Sequence, residues 1–207
     1  VGLIGGSFAR ALRKAGFAGK ILGVSSEATL RRALELGVID AAASPQIAAE
    51  QADLVYLAQP VLVILDTLAA LNEWVRSDAL ITDAGSTKLA IVQRATESLT
   101  NAQFLGGHPL AGKERRGLDS ADGDLFRGRT YVLTPLSDAA LATPRAREFQ
   151  SWLERIGALT TILDAEEHDR VVALTSHLPQ LASIGLGMLL AQKHCIEKGA
   201  FGPGLLD

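Results

Sequence analysis

Ser86 and His108 are the two residues around which a chemical reading of this sequence forms. Each follows a short apolar run, residues 80–82 and 104–107, that gives way to small and polar residues. In an open parallel sheet ligands bind at the carboxyl ends of the strands, so two such ends would project this serine and histidine into one crevice. Pro109 removes a backbone donor and pushes His108 out of helical geometry, which stops the chain there. An imidazole at such an edge, with an ordinary pKa of about 6.5, accepts a proton near neutral pH. The chemistry on offer is general-base catalysis. The plainer role for the same side chain is a hydrogen bond to a strand-end carbonyl.

The elements that must position this pair begin at the first residue. Val1-Gly2-Leu3-Ile4-Gly5-Gly6-Ser7 runs into Phe8, Ala11, Leu12 and Ala15, spaced for one helix face, with Gly16 as the stop. Glycines just ahead of a helix let its backbone N–H groups approach a phosphate, where the helix dipole adds a favourable field. The run reads as the second half of a dinucleotide-binding fingerprint, G-x-x-G, lacking its first glycine and strand; a simple strand–turn–helix has the same pattern. Residues 20–24 form the next strand candidate, followed by Ser25-Ser26-Glu27. About 20 residues past the glycines, such folds carry an acid for the ribose hydroxyls of NAD, and here Ser25 takes that place. A serine can donate to a 2′-phosphate that a carboxylate would repel, with Arg31 or Arg32 assisting. This favours NADP over NAD, while Glu27 is near enough to reverse the preference.

Further strands are expected at 53–58, 80–82, 104–107, 131–134 and 159–163. Between them lie helical faces such as Val61, Ile64, Leu65, Leu68 and Leu71 after Gln59-Pro60, and Leu89, Val92, Ala95 and Leu99 with Ser86 as N-cap. This alternation predicts an α/β fold with a doubly wound, Rossmann-type parallel sheet. Residues 110–129 carry no periodicity, and loops of that length tend to be functional or to hide a short helix. Asp164 with Glu167 resembles a capping box opening the next helix. From there the pattern is helix without strands, apolar nearly all round from Val171 to Leu189, which calls for cover by other helices or a partner chain. Pro179 should kink it beside Thr175-Ser176-His177. Residues 1–164 are therefore expected to form a dinucleotide-binding domain without its first strand. Residues 165–207 are expected to start an all-α second domain, so the chain reads as truncated at both ends.

The totals narrow the partners. A net charge of −3 supplies no pull towards nucleic acid or an anionic membrane. Cys195 is the only cysteine, which rules out an intrachain disulfide and suits a reducing, cytoplasmic compartment. Four histidines without HExxH or CxxC spacing give no support for zinc. The longest oily stretch, 178–191, is shorter than a membrane span and contains Gln180, so no membrane is expected as a partner. No secretory signal is visible.

Four blocks together are more specific than any one. They are Gly2-Leu3-Ile4-Gly5-Gly6-Ser7, Thr82-Asp83-Ala84-Gly85-Ser86-Thr87-Lys88, Gly106-Gly107-His108-Pro109-Leu110-Ala111-Gly112 with Glu114 and Gly117, and Thr175-Ser176-His177-Leu178-Pro179. In order and spacing they resemble the motifs of the prephenate/arogenate (cyclohexadienyl) dehydrogenase family, over essentially the whole chain. The resemblance implies oxidative decarboxylation of prephenate to 4-hydroxyphenylpyruvate, or of arogenate to tyrosine, in tyrosine biosynthesis, with hydride transfer to NAD+ or NADP+. An alcohol carbon gives up hydride readily only as its O–H proton leaves. By resemblance His108 takes that proton, and Ser86 hydrogen-bonds the same hydroxyl and the imidazole. His177 then contacts substrate and Glu114 guards its entrance. Gly2, Leu3, Ile4, Gly5, Ser25, Pro60, Asp83 and Lys88 form the cofactor-binding set, and no metal is required.

The remaining histidines, His168 and His194, are assigned to structure or surface. Lys113, Arg115 and Arg116 form a basic cluster able to attract a dicarboxylate. The resemblance further implies a homodimer through the helical domain and, past Asp207, a Thr-Arg whose arginine binds a substrate carboxylate. Phe201-Gly202-Pro203-Gly204-Leu205-Leu206-Asp207 looks like the approach to it. Two other readings stay open. Another Rossmann oxidoreductase of the β-hydroxyacid dehydrogenase type usually places a key lysine where residues 175–179 have none. A non-catalytic dinucleotide-sensing module has no need of Ser86, His108 and His177 together.

Overall fold

Neighbouring residues of a strand point to opposite faces, and in β4 (Leu80–Asp83) this alternation builds both layers of the core. Leu80 packs with Phe8, Leu12, Leu105, Tyr131, Phe149 and Leu153 on one side. Ile81 packs with Ile64, Leu68, Ile91 and Phe104 on the other. A strand covered on both faces is buried throughout, and all four residues of β4 are.

The chain is seen here as a computed structural model that describes residues 1–192. It divides into two compact units, Val1–His168 and Asp169–Asp207. In the first, α1 (Leu3–Lys14) leads to a two-stranded parallel pair, β1 (Leu22–Gly23) and β2 (Ala41–Ala42), linked by α2 (Glu27–Glu35). Then come α3 (Pro45–Gln51), β3 (Leu54–Leu57), α4 (Val61–Leu71), β4 and α5 (Leu89–Ser98). The unit continues with β5 (Gln103–Pro109), a 3₁₀ turn (Leu118–Ser120), β6 (Thr130–Pro135), α6 (Asp138–Leu141), α7 (Pro144–Arg155) and β7 (Leu159–Ile162). The larger sheet has the order β3-β4-β5-β6-β7.

The α/β layering matches the sequence expectation, but the sheet is mixed. β3, β4 and β5 run parallel, β6 is antiparallel to β5, and β7 is parallel to β6. A parallel connection needs a crossover of a dozen or more residues, usually with a helix. β5 and β6 are joined by residues 110–129, long enough for a crossover but holding only a short 3₁₀ turn and no crossover helix, and the chain returns antiparallel. β2 is a further departure, since no strand was expected at Ala41–Ala42.

Helix α1 begins earlier than the glycine pattern suggested. Only Gly2 lies outside it, as N-cap, while Gly5 and Gly6 are in its first turns. Gly6 is where close packing requires glycine: a Cβ there would stand 2.7 Å from Cδ1 of Leu118 and 3.1 Å from Cβ of Ala121. Ser7 follows it, fully buried, and accepts from Asp122 N at 2.9 Å. The glycine run therefore also seats the β5–β6 loop against α1.

After β7, Asp164 caps α8 (Ala165–Val172), its Oδ1 accepting from Glu167 N at 2.8 Å. This agrees with the capping signal in the sequence. A π-helical turn, Ala173–His177, leads directly into α9 (Leu178–Gln192). The ring of Pro179 would clash with the carbonyl of Thr175 in a regular α-helix, and the wider π turn falls at that place. The helix is continuous from Ala165 to Ala191, 27 residues, and is long and apolar enough to cross a membrane by length and composition. That exceeds the 178–191 stretch counted from sequence. Within α9, Leu178, Leu181, Ile184, Met188 and Leu189 are exposed. His194, Cys195 and the 201–207 motif lie outside the described residues.

Candidate active site

The carboxyl edge of β3, β4 and β5 gathers most of the residues singled out by type. Ala84 N donates to Leu57 O at 2.9 Å, which extends the β3–β4 ladder to that edge. Gly5 lies against Ala58, immediately after β3, with a built Cβ 3.4 Å from that of Ala58. Pro60 is the N-cap of α4 and exposed. Ser86 is in the loop after β4, and His108 is near the end of β5. The residue types that were expected to converge therefore do stand at the same end of adjacent parallel strands.

Two glycines let that end close up. A Cβ on Gly106 would lie 2.2 Å from Oγ1 of Thr134, and one on Gly107 would lie 2.7 Å from the Asp83 carbonyl oxygen and 3.0 Å from the Tyr131 ring. No other residue leaves room for β4 and β6 to approach β5 so closely. His108 pairs in register with Val132, and Val132 with Thr161 of β7, so three strands fix the height of the imidazole.

Asp83 and Lys88 are fully buried and ion-paired through Asp83 Oδ2. That oxygen also accepts from Gly85 N at 2.8 Å, and Oδ1 accepts from Gly107 N at 3.1 Å. Lys88 Nζ donates to Gly107 O at 2.8 Å. Burial pushes the Asp83 carboxyl up, against the opposing pull of Lys88 and the two N–H donors. Both residues belong to the expected cofactor set, yet the geometry turns them inward, where they bind β4 to β5 behind His108. Lys88 is the N-cap of α5 and makes no side-chain cap there. Ser86 is thus not the helix cap it was expected to be, because the helix starts three residues later, and its hydroxyl stands exposed.

The start of α1 suits an anion. Its Gly2 cap has no side chain, a Cβ built there meets nothing within 4 Å, and the first turn holds no acidic residue. The first intrahelical bond runs from Gly6 N to Gly2 O at 2.8 Å, so the N–H groups of Leu3, Ile4 and Gly5 point out of the helix end. These features fit the phosphates of a dinucleotide. Ser25, just past β1, donates to Val1 O at 3.3 Å beside this helix start. Arg31 pairs with Glu27, and Arg32 with Asp119 and Glu35, so the three charged candidates near Ser25 are engaged with neighbours.

Other expectations fall elsewhere. Glu114 is exposed in the loop after β5, where Lys113 pairs with Asp122 at 2.8 Å. His177 is half-buried at the end of the π turn, in the second unit. Among the described residues no cluster of three metal-ligating side chains occurs.

His168, assigned from the sequence to structure or surface, makes a contact that sequence reasoning did not foresee. It is fully buried, and its Nε2 lies 2.9 Å from Nδ1 of His108, with the rings edge to face at 5.1 Å. The available signal was its place one turn past the Asp164 cap, at i, i+4 from Val172, which is also buried.

A sequence profile described as prephenate dehydrogenase, nucleotide-binding domain, matches residues 8–161. The chain belongs to the prephenate dehydrogenase family. A prephenate dehydrogenase of Lactococcus lactis subsp. cremoris is 39% identical over 184 residues, covering 87% of this chain and 49% of the relative. The chain thus spans about half the length of the curated relatives it matches. Among solved structures, the prephenate dehydrogenase of Aquifex aeolicus in complex with hydroxyphenyl propionate and NAD+ superposes with a TM-score of 0.84 at 32% identity, covering 93% of this chain and 67% of that one. Arogenate dehydrogenase of Synechocystis gives a TM-score of 0.81 at 32% identity, covering 98% and 73%.

Proposed function

We propose that the chain carries the dinucleotide-binding domain, residues 1–164, and the start of a helical substrate and dimerisation domain, 165–207, of a prephenate or arogenate dehydrogenase of tyrosine biosynthesis. The observation that carries the reading is His108 at the carboxyl edge of β5, two strands from the uncapped start of α1. An NAD(P)+ lying along that edge would have its phosphates at Gly2–Gly5, its adenosine ribose near Ser25, and its other end towards Pro60 and His108. Asp83 and Lys88 serve it from behind, by fixing the strand ends. The Ser25 hydroxyl is compatible with a 2′-phosphate, which favours NADP over NAD.

When bound, the dinucleotide supplies the hydride acceptor. His108 accepts the proton of the substrate's ring hydroxyl as the hydride leaves the same carbon, and Ser86 orients that hydroxyl. Loss of carbon dioxide leaves an aromatic ring. The proton held on His108 returns to the product's phenol oxygen, so none is consumed overall. His177 and Glu114 are assigned to substrate contact and entrance, on their places in the family motifs.

A cytoplasmic homodimer, with no nucleic acid or membrane as partner, completes the proposal. The exposed apolar residues of α9 favour pairing of helices over solvent contact. The test is an activity matrix on the full-length protein, prephenate and arogenate against NAD+ and NADP+. Turnover of one substrate supports the reading; cofactor binding without turnover of either would replace it with a dinucleotide sensor.

A further inference from the structure

We propose that His168 is a positioning residue for this reaction, holding the His108 imidazole in the tautomer that leaves Nε2 as the base. The inference rests on the oxidative reading above. Two ring nitrogens 2.9 Å apart share a single hydrogen, and here they are Nδ1 of His108 and Nε2 of His168. If His168 donated it, neutral His108 would carry its own hydrogen on Nε2 and take no proton from an alcohol there. If His108 donates it, Nε2 is bare and faces away from His168. Only the second arrangement serves a general base.

The surroundings of His168 suit this task. The ring is fully buried, and the edge-to-face contact, at 70° between ring planes, restricts both rings. Its turn of helix is held by the Asp164 cap, and its own N–H donates to Asp164 O at 2.9 Å. During reaction the substrate proton forms a bond to Nε2 of His108, whose ring becomes a cation with hydrogen on both nitrogens. Nε2 of His168 goes on accepting from Nδ1, and the proton returns from Nε2 of His108 to the product oxygen. An imidazole partner orients the base without the strong hold of a carboxylate, which keeps that return easy.

Nitrogen-15 NMR of the histidine side chains in the full-length protein, followed across pH, reads protonation and tautomers directly. The expected result is His108 carrying hydrogen on Nδ1 and His168 accepting at Nε2. His108 with hydrogen on Nε2 would overturn the proposal without any variant. On whichever substrate is turned over, His168→Phe should lower kcat about 10- to 100-fold with substrate KM within about threefold. His168→Gln retains an oxygen that accepts from Nδ1 and should recover most of the rate. Unchanged kcat in His168→Phe, or losses that simply follow thermal unfolding in both variants, would reduce His168 to packing. If the unsubstituted protein turns over neither substrate, the oxidative reading fails, while the tautomers still report whether His168 fixes His108.

Discussion

Asp83 and its ion-pair partner Lys88 together hold both peptide polar atoms of Gly107. Asp83 Oδ1 accepts the Gly107 N–H at 3.1 Å, and Lys88, paired with the other carboxylate oxygen, donates to the Gly107 carbonyl at 2.8 Å. The residue immediately before His108 is therefore fixed by a buried charge pair from the neighbouring strand end. A buried pair is costly to break from one side, because the remaining charge has no water to turn to. Lys88→Met or Asp83→Asn alone should each destabilise by about 3–5 kcal/mol in denaturant unfolding. Asp83→Asn combined with Lys88→Met should lose less than the sum of the single losses, and strict additivity would contradict the coupling. Activity in the double variant should remain low, since Gly107 is then held only by its strand.

His108→Asn should cut turnover on the accepted substrate by about 10²–10⁴-fold, the usual worth of a positioned acid–base group. Dinucleotide affinity, measured by calorimetry, should stay within about threefold, because the proposed phosphate site is the start of α1, on another part of the edge. A variant with most of its activity would remove His108 from proton transfer.

Gly2→Asp should separate stability from function. An acid at the N-cap accepts from the first-turn N–H groups and is favoured by the dipole, so thermal stability should rise slightly, by a few tenths of a kcal/mol. The same carboxylate occupies the open space beside Gly2 and repels phosphate, so the dinucleotide Kd should rise at least about tenfold. Unaltered binding would move the phosphates away from this helix start.

Tyr56 and Tyr131 are the only two tyrosines, and both should resist ionisation in the folded protein. Tyr131, fully buried, donates to the Tyr56 hydroxyl at 3.2 Å; burial is the main cause that pushes both phenols up, with the Asp83 charge adding to it. Unfolded tyrosine ionises near pH 10, so the stabilisation is intact below about pH 10 and is lost as pH climbs from there towards the raised folded values. Absorbance titration at 295 nm should show almost no phenolate until the chain unfolds. A normal titration of either ring in the native protein would contradict the enclosed pair.

The layering of the first unit was legible because period-two and period-3.6 patterns are local. The strands around Leu80, Phe104 and Tyr131, the cap at Asp164 and the His108 edge all follow from neighbours in sequence. Strand direction is not local, so β6 was read as parallel although no crossover helix precedes it. β2 was invisible because two alanines carry no pattern. His168 escaped for the same reason as β6: its partner is 60 residues away, and only the folded sheet brings the two imidazoles together. Lys88 looked like a ligand contact by motif, and its burial depends on how closely two strand ends approach.

The π turn before Pro179 has one more result, for the bookkeeping of faces along the long helix. Each residue of an α-helix advances about 100°, and a π bulge adds one residue without adding a turn of α-helix. Angular positions counted from α8 therefore fall out of phase for everything after Leu178. The oily character that looks all-round on a single wheel mixes two phases. Shortening residues 173–177 by one would rotate the whole of α9 by that amount and present a different side chain at every point along it.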